Sequence, residues 1–209
     1  MSKIFNGLEK YKEKIGLIDN NNKGHSYNKI LQKVERIVRK VKKRSLILFI
    51  SSNIFESVIG YIAFVKNNNI LILLDKNFEK KFVEKMIKNY KPSFIYKPKS
   101  YFLRNSKNER LYNGEKYELL RTNFKLKNDY NKKNFLLLTT SGSTHNPKLV
   151  RLSERNILNN VKKIKKYLNI NSSNTTITTM PMAYSYGLSI INTFIYSGAK
   201  IVLCEKNIF

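Results

Sequence analysis

The chain has 209 residues, one domain or one and a fraction at about 150 residues per domain, and its 42% hydrophobic and 12% aromatic content supplies a packed core and excludes wholesale disorder. Its single cysteine, Cys204, excludes an intrachain disulfide framework or a multi-cysteine zinc or iron–sulfur site, and the wide separation of His25 and His145 excludes a His-rich metal cluster. Forty Lys and Arg against fourteen Asp and Glu give a net charge of +26, which taken alone suggests nucleic acid or an anionic membrane as partner.

Taken in chain order, the N-terminus carries charges where a secretory apolar region would sit, and no apolar run approaches the roughly 20 residues that span a bilayer. A cytoplasmic protein without a membrane segment is the expectation. From Tyr27 to Val41 the apolar positions Ile30, Leu31, Val34, Ile37, Val38 and Val41 recur at three- and four-residue spacings, which predicts an amphipathic helix. Leu46 to Ile50 is an uninterrupted apolar stretch, the pattern of a strand buried on both faces. Ser51-Ser52-Asn53 then offers capping residues for a mostly buried helix over Ile54 to Val65. The unit repeats with a strand over Ile70 to Leu74, a helix over Phe78 to Tyr90 and a short strand over Phe94 to Tyr96, and right-handed crossovers place these strands in one parallel sheet.

Residues 99–133 are polar, rich in Lys and Asn, and read as an irregular excursion with one strand near Tyr117 to Leu120. Order returns with a strand over Phe135 to Thr139, and beyond a loop and the short apolar segment Leu149 to Leu152, Ser153-Glu154-Arg155-Asn156 opens a helix that runs to Tyr167. Thr175 to Met180 is strand-like, Leu188 to Tyr196 helical, Gly198 placed as a cap, and Lys200 to Leu203 a last strand. Alternation throughout predicts an α/β fold with a largely parallel sheet, divided into first strand–helix units (1–98), the excursion (99–133) and a loop-bearing region (134–209).

Basic residues are spread from Lys3 to Lys206 and alternate with apolar ones, the pattern of a solvated face, and the densest run, Arg39 to Arg44, closes a helix where cations meet the negative end of the dipole. Background charge is one reading; polyanion affinity is the other.

The stretch that carries chemistry is Thr140-Ser141-Gly142-Ser143-Thr144-His145-Asn146-Pro147-Lys148. A loop after a buried strand, with four hydroxyls, one Gly and a closing Lys, offers backbone N–H groups, O–H donors and an ammonium to a polyphosphate. It is not the Walker loop, which needs two Gly flanking four residues before Lys-Ser/Thr, whereas Leu149 follows Lys148 here. A Ser/Thr-rich surface turn ended by Pro147 is the plainer reading, yet the ordered string arises by chance in well under about one chain in a thousand of this length.

The string resembles the phosphate-binding motif of the adenylate-forming superfamily (acyl-CoA synthetases, peptide-synthetase adenylation domains, luciferases), Thr-Ser-Gly-Ser/Thr-Thr-Gly-x-Pro-Lys. Val150 to Leu158 is similar to the strand and helix start after that loop, Met180-Pro181-Met182-Ala183-Tyr184-Ser185-Tyr186-Gly187-Leu188 resembles the next motif, Leu-Pro-Leu-Phe-His-x-x-Gly-Leu, and His25-Ser26-Tyr27 fits the family's opening more loosely. The resemblance spans the chain and is specific from about Leu136 onward. It implies the N-terminal subdomain of the large domain, which binds ATP and a carboxylic acid; the carboxylate attacks the α-phosphorus and pyrophosphate leaves from an acyl-adenylate.

By resemblance, Thr140, Ser141, Gly142, Ser143, Thr144 and Lys148 hold the β- and γ-phosphates, Lys148 and Tyr184 act in catalysis, and Tyr184, Tyr186 and Gly187 face the α-phosphate and acyl group; for Tyr184 a core aromatic is the competing reading. His145 stands where the family has Gly, either a tolerated substitution or an added donor near phosphate, and Glu154 replaces a common His as a helix-start acid. The family's Tyr-Gly-x-Thr-Glu segment, which includes the Glu for Mg2+, its ribose-binding Asp and its C-terminal catalytic Lys have no counterpart here, so the resemblance implies a truncated or split piece, inactive alone, completed by a separately encoded C-terminal half or not at all. The acceptor would be coenzyme A or a carrier protein, with no metal site, no specific nucleic acid and no membrane. The alternative is a non-catalytic basic module that binds nucleotide or nucleic acid.

Overall fold

A computed structural model describes residues 2–103, 108–124, 135–139 and 149–205. Two strands, β1 (Ile15–Ile18) and β2 (Gly24–Ser26), precede the helix α1 (Tyr27–Val38), capped by Ser26 Oγ accepting from Lys29 N. Then come β3 (Leu46–Ser51), α2 (Phe55–Lys66), β4 (Ile70–Asp75), α3 (Lys80–Tyr90) and β5 (Phe94–Pro98). The antiparallel pair β6 (Glu109–Asn113) and β7 (Tyr117–Arg121) follows, then β8 (Leu136–Thr139), β9 (Leu149–Leu152), α4 (Glu154–Tyr167), β10 (Thr175–Thr178), α5 (Ser185–Tyr196) and β11 (Lys200–Leu203).

The strands form two sheets, where the sequence led us to expect a single, largely parallel one. Seven lie in the order β6-β7-β5-β3-β4-β8-β9, parallel over β5, β3, β4 and β8 and antiparallel at both edges; four lie in the order β10-β11-β1-β2. The larger sheet is mixed because β7 and β9 run antiparallel beside β5 and β8, a pairing that needs no crossover helix. The hidden strands are those with weak patterns: β1 is four residues long and includes a Gly, and β6 has no buried position.

Side-chain alternation on β3 and β4 builds a core on each face. Ile47, Phe49, Leu71 and Leu73 join the core that also takes α1, α2, α4, α5 and the strands β1 and β11, so the helices are sandwiched between the sheets. Leu48, Ile50, Ile72 and Leu74 point the other way, against Val83 and Met86 of α3 with Tyr101 and Leu103. α2, buried continuously from Ser57 to Val65, is apolar nearly all round, while α1, α3 and α4 bury only stripes. Buried tyrosines tie the layers by their hydroxyls: Tyr61 donates to Asn192 Oδ1 (2.9 Å), Tyr27 to Ala199 O (2.7 Å) and Tyr96 to Glu56 O (2.8 Å). On the α3 side Lys97 and Glu118, opposite one another on β5 and β7, form a buried ion pair at 2.7 Å that Arg110 shares. Burial works against the Glu118 charge, but the two cations outweigh it and hold the carboxyl below its ordinary range.

Helix ends follow the sequence where a cap is local. Ser153 and Asn156 form a reciprocal capping box on α4, and Gly198 leaves α5 at φ 68°, a left-handed conformation suited to Gly. Glu154, expected only as a helix-start acid, also accepts from Ser2 Oγ (2.7 Å) and from Lys3 N, so it holds the chain's N-terminus against α4.

Gly60 of α2 sits against the Tyr96 ring, where an added Cβ would meet Cζ at 2.7 Å and Cδ1 at 2.9 Å, closer than van der Waals contact. Because Tyr96 is fully buried among Phe49, Phe64 and Tyr117, it has no space to yield. Gly60→Ala is expected to lower stability by about 1–3 kcal/mol despite its better helix propensity, read as a lower urea midpoint at unchanged slope.

Candidate active site

The chain leaves β3 for α2 on one face of the larger sheet and leaves the adjacent β4 for α3 on the other. Adjacent parallel strands whose connections diverge in this way make a topological switch point, with a crevice outside their carboxyl ends that is the common ligand position in such sheets. Here the crevice is walled by Ser52 and Asn53 after β3, by Asp75, Lys76 and Asn77 at the end of β4, and by Pro181, around a cavity of about 240 Å3. A cavity of about 550 Å3 shares Ser52, Lys76 and Asn77 and extends over Lys99, Tyr101 and Lys116.

Polar side chains appear where the buried strands end, and each is held. Ser51 Oγ donates to Leu74 O at 3.0 Å, and Ser52 Oγ lies 2.9 Å from the Tyr117 hydroxyl. Asn53 uses both ends of its amide: Nδ2 donates to Met180 O (3.0 Å), and Oδ1 accepts from Met182 N (3.2 Å). The sequence reading assigned Ser51, Ser52 and Asn53 to the cap of α2. In the structure Ile54 is the N-cap and makes no side-chain bond, while Asn53 clamps a segment 127 residues later. A paired donor and acceptor can satisfy two exposed backbone groups of an irregular segment, which a single cap bond cannot.

That clamp sets Tyr184. After Pro181, whose carbonyl accepts from Tyr184 N (3.1 Å), Tyr184 becomes the N-cap of α5 and its own carbonyl accepts from Leu188 N (2.9 Å). It is 37% exposed, so the core-aromatic reading gives way to a ring at the surface. Burial, with the charge of Asp75 adding, pushes its phenol pKa up. Tyr186 is 63% exposed on the first turn of α5. Gly187 is buried, and a Cβ there would meet Pro181 O and, at 2.6 Å, Met180 O, so the close approach of α5 to the Met180–Pro181 backbone accounts for its Gly.

Thr140, Ser141, Gly142, Ser143, Thr144, His145 and Lys148 lie outside the described residues. Their flanks are described: Thr139 pairs with Leu149 across the antiparallel β8–β9 ladder, and β8 runs parallel to β4 with Leu138 opposite Leu73. Both ends of the 140–148 segment therefore stand at the carboxyl end of β8, one strand from Asp75.

Asp75 and Asn53 are the site residues that sequence reasoning did not single out. Asp75 is 4% exposed, and its Oδ1 accepts from Asn77 N at 2.9 Å. The signal was present as an acid closing an otherwise apolar strand, where a strand buried on both faces tolerates charge only at its end. Among the described residues no group of three or more His, Cys, Asp or Glu is placed to hold a metal ion, and no helix is long and apolar enough to cross a membrane.

The sequence profile of the AMP-binding enzyme family matches residues 5–209. The chain belongs to that family. Solved structures agree on the fold of this AMP-binding chain. ATP-bound MatB from Rhodopseudomonas palustris superposes with a TM-score of 0.75 at 13% identity, over 99% of this chain and 46% of MatB. The luciferase-like enzyme of the nonluminescent Zophobas morio mealworm gives 0.72 at 17% identity, over 95% of this chain and 52% of that one. A four-domain nonribosomal peptide synthetase, AB3403, bound to AMP and glycine, gives 0.74 at 12% identity, over 97% of this chain and 15% of the synthetase. The chain thus spans about half or less of the length of these structures.

Burial pushes the Asp75 carboxyl up, against the opposing pull of the Asn77 N–H and the Lys76 ammonium. A carboxyl whose folded pKa exceeds its unfolded one binds protons more readily in the folded state, so its charge costs stability as pH rises through the folded value and costs nothing below the unfolded one. Asp75→Asn, which can still accept from Asn77 N, is expected to raise the melting temperature at neutral pH and leave it unchanged near about pH 3. A lower melting temperature at neutral pH would show that the fold needs the carboxylate.

Proposed function

We propose that these residues are the N-terminal part of the large domain of an ATP-dependent acid ligase, acting in the cytoplasm. In a complete form the protein activates a carboxylic acid as an acyl-adenylate. The observation that carries this reading is that the ends of β8 and β9 flanking residues 140–148, which hold the phosphate-loop string, stand one strand from Asp75 at the switch point.

In this reading the hydroxyls of Thr140, Ser141, Ser143 and Thr144, the backbone at Gly142 and the Lys148 ammonium hold the β- and γ-phosphates. Their work is to stabilise the negative charge that grows on pyrophosphate as the bond between the α-phosphorus and its bridging oxygen breaks and the new bond to the carboxylate oxygen forms. Tyr184 supplies a hydroxyl donor toward the α-phosphate and carboxylate. Tyr186 and Gly187 line the acyl side, and coenzyme A or a carrier protein accepts the acyl group. ATP carries Mg2+ in such chemistry. The described residues offer it no ligand cluster, and no step is derived through it.

The solved relatives bound to ATP and to AMP with glycine lend support, and the share of their length that the chain spans leaves the whole reaction to a longer or two-part protein. The test is nucleotide affinity of the 209-residue chain. ATP is expected to bind saturably, and Thr144→Ala and Lys148→Ala are each expected to weaken it about tenfold or more, some 1.4 kcal/mol for a lost charge-assisted contact. Unchanged affinity in both variants would end the site assignment. Exchange of labelled pyrophosphate into ATP by this chain alone, given a carboxylic acid, would instead end the assignment as an incomplete catalyst.

A further inference from the structure

A third cavity, of about 350 Å3, opens between the β1–β2 turn, α1, the first turn of α2 and the β6–β7 turn. Four lysines from three of these elements line it: Lys23, Lys29, Lys33 and Lys116. None of their ammonium groups is in an ion pair among the described residues. Lys29 and Lys33 stand four apart on one face of α1, a like-charge spacing that disfavours the helix unless something neutralises it.

Two of the wall's three acids already have hydrogen-bond partners. Asp19 accepts from His25 Nε2 (2.7 Å), Asn21 N (2.9 Å) and Lys23 N (3.0 Å), and Glu56 accepts from the backbone N–H groups of Glu115 (2.8 Å), Lys116 (2.5 Å) and Tyr117 (2.8 Å). Glu115 remains as the wall's other acid. α2 begins here at Ile54 with no side-chain cap, so the positive end of its dipole faces this wall with its first N–H groups uncapped.

An independent observation comes from His25. The ring lines the cavity, is 5% exposed and stacks on Phe55 at 3.9 Å. An ionised carboxylate only accepts, so the bond to Asp19 assigns the proton to Nε2 and leaves Nδ1 over; that nitrogen is buried with no hydrogen-bond partner. Buried polar atoms without partners are uncommon enough to point to a missing one, and for this acceptor nitrogen the matching partner is a donor such as a ligand hydroxyl, not a phosphate oxygen.

We propose that this cavity is a binding site for a small phosphate- or diphosphate-bearing molecule, held by Lys23, Lys29, Lys33 and Lys116 at the start of α2. It is a separate site from the 140–148 loop and does not rest on the function proposed above. Four lysines around one concavity suit a multiply charged oxyanion, and the polar wall suits a ligand that also carries hydroxyls.

The test is isothermal titration of the whole chain with inorganic pyrophosphate at constant ionic strength, in a Lys148→Ala background that weakens the loop. Saturable binding is expected, weakened about tenfold or more by Lys29→Gln with Lys33→Gln and retained by Lys29→Arg with Lys33→Arg, which keeps the charge and controls for folding. Lys162→Gln with Lys163→Gln, which removes equal charge from the exposed face of α4, is expected to leave binding unchanged. Absence of saturable binding, equal affinity with and without Lys29 and Lys33, or an equal loss in the Lys162 and Lys163 variant would each overturn the site. ATP affinity of the chain with Lys148 intact is unaffected by these outcomes, so the two sites fail separately.

Discussion

Six consecutive residues on each of two neighbouring strands, Leu46–Ser51 and Ile70–Asp75, are buried, and most of the structure follows from that constraint. A strand covered on both faces can carry charge only where it ends, because an ionised group inside would lose hydration with no partner to replace it. Ser51, Ser52, Asn53 and Asp75 are accordingly gathered at one rim. With the connections leaving to opposite faces, that rim is also where the sheet opens, so the same two apolar runs that make the core also decide where chemistry can occur.

The polar groups of the rim are each held by a partner. Asn53 holds the carbonyl of Met180 and the N–H of Met182, and Ser52 and Tyr117 pair through their hydroxyls. Tyr184 is thereby presented by a clamped segment on the end of a helix and not by a free loop, and Gly187 lets that helix approach the Met180–Pro181 backbone. Positioning of this kind is what a phosphoryl-transfer site requires, since the protein's contribution to such a reaction is orientation and charge.

The charge of +26 divides on the structure into two kinds. Lys162, Lys163 and Lys166 stand on the outer face of α4 as a solvated helix surface, whereas Lys23, Lys29, Lys33 and Lys116 converge on a concavity beside a buried histidine. Composition cannot separate these, because a lysine's effect depends on whether solvent or a facing wall receives its field.

By itself the sequence determined the alternation of strands and helices, because periodicity reports which faces are buried and five of the apolar runs are long or strongly striped. It also determined the phosphate-loop string at 140–148, an ordered pattern legible without any fold, and through it the kinship with adenylate-forming enzymes. The tertiary structure decided what had no local signal. The division into two sheets depended on β1 and β2, and the edge of the larger sheet on β6; the strand character of all three comes from the neighbours they pair with. The role of Asn53 depended on a partner 127 residues away, and an amide that is an adequate cap in sequence proved to be a clamp in space. Asp75 became a site residue only when β8 took its place beside β4, because proximity across a sheet is set by strand order, which local pattern does not encode.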